Sequence, residues 1–293
     1  MKNRANEIVI LSGKGGTGKT TLSASLAKLI KNKIIVDADV DASDLFILLN
    51  PALIRNEKFR GKSVAKIDQE KCTHCGLCEK YCRFDAIHQN EEGNFVVNFF
   101  KCDGCALCTY VCPVSAIKMN QEIVGEWYIS STEFGDLVHA RLIPGAENSG
   151  NLVTMVKHQA QLLANDKNVS RIIIDGPPGT GCPVISSLSG AKYAVIVTEP
   201  TLSGMHDLDR ILKIAKQFKV IPKIVINKST LNKDNVNFIE EFAARNDVEI
   251  IGRIPFDRCV VENLERKLTP IDSDCGEVKE EIRKIAAALE TIF

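Results

Sequence analysis

The strongest constraint on this chain is the string Ser12-Gly13-Lys14-Gly15-Gly16-Thr17-Gly18-Lys19-Thr20-Thr21, which follows directly on the apolar run Ile8-Val9-Ile10-Leu11. A short apolar run bounded by glycines reads as a buried strand, and the glycines permit positive φ and close approach of the backbone to a ligand. A helix restarting at Lys19-Thr20 leaves consecutive N–H groups free to wrap phosphate oxygens. Lys19 then brings a cation to the outer phosphates, and the Thr20 hydroxyl is placed to ligate Mg²⁺. Gly13, Gly15, Gly16, Thr17, Gly18 and Thr21 complete the cradle. The strand, loop and helix context makes this P-loop reading specific.

Lys14 is a second lysine that phosphate binding within one subunit does not require. With it the loop resembles the K-G-G-x-G-K-T loop of the deviant-Walker ATPases of the MinD/ParA family. The resemblance implies ATP and Mg²⁺ as ligands and catalytic roles for Lys14 and Lys19. It also implies a homodimer formed on ATP binding, with Lys14 reaching the nucleotide of the other subunit.

Two further strands end in carboxylates. Lys33–Asp37 runs into Asp37-Ala38-Asp39-Val40-Asp41, and Arg171-Ile172-Ile173-Ile174-Asp175 runs into Gly176-Pro177-Pro178-Gly179-Thr180-Gly181-Cys182. Carboxylates at the carboxyl ends of strands beside a P-loop fall where an open α/β sheet binds its ligand. By resemblance Asp39 and Asp175 are catalytic, with Asp39 carrying hydrolysis, Asp37, Asp39 and Asp175 support the Mg²⁺ site with Thr20, and the Gly179 N–H senses the γ-phosphate. Asp41 and Asp44 read equally well as turn and N-cap residues. Asn227, closing a later strand, and Pro255 are implied to lie against adenine.

Eight of the 11 cysteines lie between residues 72 and 112. Cys72, Cys75, Cys78 and Cys82 follow the spacing C-x2-C-x2-C-x3-C, and Cys102, Cys105, Cys108 and Cys112 repeat it thirty residues later. The repeat continues through Ala86-Ile87 and Ala116-Ile117. Structural zinc favours paired C-x2-C knuckles rather than this spacing. The double motif resembles the bacterial two-cluster ferredoxins, whose fourth cysteine ligates the other cluster. The resemblance implies one [4Fe–4S] cluster on Cys72, Cys75, Cys78 and Cys112 and a second on Cys102, Cys105, Cys108 and Cys82. Cys82 precedes Arg83 where the motif has proline, a change expected to tune a cluster rather than abolish it. His74 is expected to be exposed. Cys182 has two readings, a small semi-buried thiol or a ligand between subunits as in the nitrogenase iron protein. Cys259 and Cys275 have no metal spacing and read as structural.

The expected fold is therefore α/β, a P-loop NTPase with a mostly parallel sheet and helices on both faces. It spans 1–60 and 120–293 and carries an inserted ferredoxin domain of α+β type at 61–119. Residues 51–68 lose the alternation of strand and helix, and Asn148 or Ser149 is expected to cap a helix over Asn151–Asn165. Strands are expected at Ala194–Thr198, Lys223–Asn227 and Val248–Ile251, and helices at Asp207–Phe218 and Asp234–Asn246. The last helix, Glu277–Phe293, carries Val278, Ile282, Ile285, Leu289 and Ile292 on one stripe. Its polar face mixes both signs of charge, which favours packing on the sheet over binding an anionic lipid surface.

Lys plus Arg and Asp plus Glu number 37 each, so no basic excess argues for nucleic acid or a membrane as partner. The opening residues lack the apolar core of a secretion signal and no apolar run is long enough to span a bilayer, so a cytoplasmic location is expected. These features together imply an ATPase that couples the nucleotide state of a dimer to electron transfer through two clusters, with an unidentified redox or acceptor protein as partner. The alternative is an iron–sulfur carrier or assembly scaffold related to the Mrp-type ATPases. A positioning ATPase of the cell-division kind comes third.

Overall fold

The structure is a computed structural model that describes residues 4–146 and 149–292. The chain opens with β1 (Asn6–Ser12), α1 (Lys19–Leu29), β2 (Ile34–Asp37) and the short α2 (Leu45–Leu49). Then come β3 (Ala52–Ile67), α3 (Leu77–Lys80), β4 (Ile87–Gln89), β5 (Phe95–Val97), α4 (Leu107–Val111), β6 (Ile117–Thr132) and β7 (Gly135–Leu142). The rest alternates: α5 (Ser149–Asp166), β8 (Arg171–Pro178), α6 (Cys182–Leu188), β9 (Tyr193–Thr198), α7 (Leu202–Gln217), β10 (Ile221–Asn227), α8 (Lys233–Arg245) and β11 (Glu249–Ile254). It closes with α9 (Arg258–Glu265) and α10 (Gly276–Ile292).

The chain divides into two compact units, one of Met1–Glu57, Trp127–Arg141 and Ser149–Phe293, the other of Lys58–Glu126 and Leu142–Asn148. The smaller unit is thus wider than the expected 61–119. The chain passes between the units within β3 and β6, again at the last residue of β7, and returns before α5.

In the larger unit the strands run β11-β10-β9-β1-β8-β2-β7, and β1, β2, β8, β9, β10 and β11 pair in parallel. Continuous Ile and Val runs in β1, β2 and β8 are buried along their whole length, as strands covered on both faces must be. Alternation then assigns the faces. Ile8, Ile10 and Ile173 join a core with Leu22 and Leu26 of α1 and with Val278, Ile282, Ile285 and Leu289 of α10. Val9, Ile172 and Ile174 point the other way, where α5 and α6 pack. The α10 stripe is therefore core, in keeping with its charge pattern. Among the described residues no helix is long and apolar enough to cross a membrane.

Several elements depart from expectation, each for a local reason. Residues 52–67 form a strand rather than irregular chain, and its first seven residues are all exposed, so no apolar alternation marks it. Helix α7 begins at Leu202 rather than Asp207, because the Thr201 hydroxyl accepts from the Gly204 N–H at 3.0 Å and starts the helix early. The unanticipated α9 starts in the same way, with Asp257 accepting from the Cys259 N–H at 2.8 Å. Helix α5 starts at Ser149, and its other expected cap, Asn148, lies outside the described residues.

Strands β6 and β7 form a hairpin that buries His139 between the rings of Tyr128 and Phe46, at centroid distances of 4.9 and 6.3 Å. Its Nε2 lies 3.2 Å from the Ser130 hydroxyl, whereas Nδ1 has no partner. Burial, and after it the Arg141 charge, lower the His139 pKa to about 4 from 6.5. The unfolded chain takes up this proton near pH 6.5 and the folded chain only near 4. The stability this group contributes is therefore complete above pH 6.5 and is lost as the pH falls toward 4. His139→Gln is expected to remove on the order of 2 kcal/mol of that acid sensitivity, read as a smaller fall in melting temperature between pH 7 and 4.5 than in the wild type.

Candidate functional site

Parallel pairing carries the ends of β1, β2 and β8 to one edge of the sheet. There Asp175 sits 1% exposed and accepts from Lys19 Nζ at 3.0 Å, Thr20 Oγ1 at 2.8 Å and Ser23 Oγ at 2.7 Å. Three donors from the first turns of α1 thus converge on one carboxylate. Burial works against the Lys19 charge, but Asp175, Asp39 and Asp37 outweigh it and raise its pKa. Lys19 Nζ lies 3.8 Å from Asp39 Oδ2, and burial raises Asp39 to about 6 against the opposing pull of Lys19.

Asp37 is fully buried and already occupied. Its oxygens accept from the Asp39 N–H at 3.1 Å, Ser43 Oγ at 2.8 Å and the Leu45 N–H at 3.1 Å. Burial and the nearby Asp175 raise its pKa. These hydrogen bonds order the loop after β2. Asp44 precedes α2 without a side-chain cap bond, and Asp41 and Asp44 both line the cavity beside the P-loop.

That cavity measures about 670 Å³, within the range of small-ligand sites. Gly15 through Thr21, Asp39, Asn227 and Pro255 line it, and apolar groups from α9 and α10, among them Val261, Leu264 and Ile282, form its far wall. Gly18 holds φ at +89° with the Asn227 Nδ2 beside it, so a Cβ there would lie 2.2 Å from that nitrogen. Glycine is required at this position on both counts.

Three residues expected to meet nucleotide or partner have protein partners in this structure. Asn227 Nδ2 donates to the Thr17 carbonyl at 2.7 Å. The Gly179 N–H donates to the Ser12 carbonyl at 2.9 Å. Lys14 Nζ pairs with Glu199 and bonds Ser203 Oγ at 3.0 Å, and Lys228 closes the group by contacting both Glu199 and the Gly16 carbonyl. The Lys14 and Lys228 bonds hold the Glu199 carboxyl below its ordinary range although burial opposes them. The roles of Glu199 and Lys228 were not anticipated, because the pairs of Glu199 with Lys14 and with Lys228 join segments far apart in sequence.

The smaller unit holds the clustered cysteines. Cys72, Cys75, Cys78 and Cys112 line one small cavity, and Cys82, Cys102, Cys105 and Cys108 line a second. The thirty-residue repeat is also present in the backbone. His74 and Gly104, Gly76 and Ala106, and Asp85 and Ser115 are left-handed at matching positions. The Ala86 N–H donates to Cys82 Sγ at 3.4 Å, and the Ala116 N–H donates to Cys112 Sγ at 3.2 Å. Burial and then the neighbouring thiols raise Cys108 to about 11, so a cationic group is what would hold these sulfurs as thiolates. Among the described residues no group of three or more His, Cys, Asp or Glu side chains is arranged around a single metal ion. The thiols stand around two cavity walls instead. His74 is exposed, and so is Cys182, the first residue of α6. Cys259 and Cys275 form a disulfide in the larger unit.

Removing the carboxylate that joins these donors separates structure from chemistry. Asp175→Ala leaves buried Lys19 with only the longer Asp39 pair and is expected to destabilise the nucleotide-free protein by about 3 kcal/mol. Asp39→Ala, with its longer and more exposed pair, is expected to change stability by about 1 kcal/mol or less. Denaturant midpoints of the two variants check this.

The profile of the CobQ/CobB/MinD/ParA nucleotide binding domain matches residues 8–271. An uncharacterized protein of Methanocaldococcus jannaschii is 34% identical over 97% of this chain and 96% of its own length. The septum site-determining protein MinD of Bacillus subtilis is 26% identical over 87% of this chain and 78% of its own. Among solved structures, the cell division ATPase MinD of Pyrococcus furiosus superposes with a TM-score of 0.58 at 18% identity, covering 99% of this chain and 100% of that one. MinD of Pyrococcus horikoshii, solved with Mg-ADP, gives 0.58 at 18% identity over 98% and 96%. The P-loop, the strand-end carboxylates and the family match agree, and the chain belongs to the CobQ/CobB/MinD/ParA nucleotide-binding family as a P-loop ATPase of the MinD/ParA type.

Proposed function

We propose that this ATPase is an iron–sulfur protein in which the nucleotide state of a dimer governs one-electron transfer. The observation that carries this reading is the division of eight thiols between two cavities, four to each, with Cys112 and Cys82 exchanged between the repeats. Cys72, Cys75, Cys78 and Cys112 would hold one [4Fe–4S] cluster, and Cys102, Cys105, Cys108 and Cys82 the other. Such clusters supply one-electron chemistry when bound. The Ala86 and Ala116 amides, already aimed at Cys82 and Cys112, would stabilise negative charge on those sulfurs.

At the nucleotide site the P-loop amides bind the phosphates of ATP, and Lys19 exchanges its carboxylate partners for phosphate oxygens. Thr20 and Asp175, freed from Lys19, would be the residues to hold Mg²⁺, which would neutralise charge on the phosphates. Asp39, with a pKa near 6, is poised to orient water and take its proton close to neutral pH. Dimer formation draws Lys14 from Glu199 toward the partner's nucleotide, and the Gly179 N–H leaves Ser12 for the γ-phosphate. The family resemblance and the position of Lys19, Thr20 and Asp39 around one cavity support this sequence of events.

A carrier function is the second reading, favoured by the exposure of Cys75 and Cys105, one on each cavity. Anaerobic purification is expected to yield about eight iron and eight sulfide per chain. Cys112→Ser should disturb only the cluster of the Cys72 group, leaving about half the iron with an intact spectrum. Reduced protein is then mixed with a one-electron acceptor in the presence of ATP, ADP or no nucleotide. Equal rates in all three overturn the coupling, and loss of iron to an apo-acceptor protein favours the carrier.

A further inference from the structure

We propose that the Cys259–Cys275 pair is a redox-modification site that sets how tightly the ATPase holds its nucleotide. It rests on the nucleotide cavity alone and is independent of the cluster reading. Helix α9 forms part of the cavity wall, with Val261 and Leu264 on the lining and 51% and 36% exposed. Its single buried residue is Asn263, a polar one. Apart from Cys259 itself, Val260 is the one apolar residue of α9 that packs against the main core, and it is only partly buried.

The attachment is instead chemical. Asn263 Nδ2 lies 3.0 Å from Cys275 Sγ, 3.4 Å from Cys259 Sγ and 2.7 Å from Ser273 Oγ. The disulfide ties Cys259 of α9 to Cys275 at the foot of α10, with the Cα atoms 5.7 Å apart. Helix α10 is firmly seated, since Val278 and Ile282 belong to the main core and also face the cavity. The loop between them is fixed to α1, the P-loop helix, by Lys28 and Asp272 at 2.6 Å. The disulfide therefore joins α9, seated by little apolar burial, to the firmly packed α10, and both helices contribute to the cavity wall. With the bond formed, the wall is ordered before the nucleotide arrives; with it reduced, binding must order α9 as well, which weakens affinity.

The oxidant is a low-molecular-weight disulfide. The half-buried Cys259, as thiolate, attacks one sulfur of the reagent and releases one small thiol. Buried Cys275 then gives up its proton and attacks Cys259 Sγ, forming the protein disulfide and releasing the second thiol. Two cysteine thiols are oxidised, one external disulfide is reduced to two thiols, and an excess of small thiol reverses both steps.

The test measures the affinity of the full chain for a fluorescent ATP analogue under anaerobic conditions, in reduced and in oxidised glutathione, with the thiol state read by mass. The oxidised wild type is expected to bind at least about fivefold more tightly than the reduced. Cys259→Ser is expected to show one affinity in both buffers, equal to that of the reduced wild type. Cys275→Ser should match it, and Cys259→Ser alone suffices if the change at buried Cys275 prevents folding. Equal affinities of the wild type in both buffers overturn the proposal. So does a redox shift that persists in Cys259→Ser, because the eight clustered cysteines and exposed Cys182 remain in that variant and the source would then lie among them.

Discussion

The Asp175 carboxylate is the point on which the nucleotide site depends. It lies within β8, a strand buried on both faces that runs on to Pro178, and three donors from the helix after the P-loop close on it. Without a counter-charge at that depth Lys19 would lose its proton or leave the site. The pairing therefore fixes where the first helix begins relative to the sheet, and with it the position of every amide in the loop before it. The same bond makes the site responsive, because the groups that stabilise it without ligand are those a metal and phosphates would engage.

Most of the larger unit was legible because its strands are covered on both faces and read as unbroken Ile and Val runs. Where burial is one-sided or absent, the signal fades. Ala52–Lys58 is extended and wholly exposed, so nothing in its side chains distinguishes it from a loop. The hairpin around His139 is held by ring stacking between residues far apart in sequence, a pairing no local pattern reveals. Of the site, the residue types and spacings identified the cradle and the carboxylates. Their present partners were not legible, since Asn227 with Thr17 and Lys14 with Glu199 are contacts between distant segments that only the folded sheet creates.

In the smaller unit the spacing of the cysteines carried more information than their number. Two repeats with the same left-handed residues build two loops of the same shape, so the backbone repeats as faithfully as the sequence. Non-glycine residues at positive φ, such as His74, Asp85 and Ser115, are unfavourable unless something nearby requires them. Their recurrence at a fixed interval is a property of the loop design. The expected boundary fell short because the strands leading in and out, β3 and β6, are long and begin and end in different units.

The Gly179 amide has one further consequence. Its hydrogen is already engaged by the Ser12 carbonyl, at the very start of the loop that would receive a phosphate. Any anion that claims this donor does so by exchange, releasing a carbonyl as it binds. This amide is therefore a donor already in use, tying the chain after β8 to the end of β1, rather than an open socket.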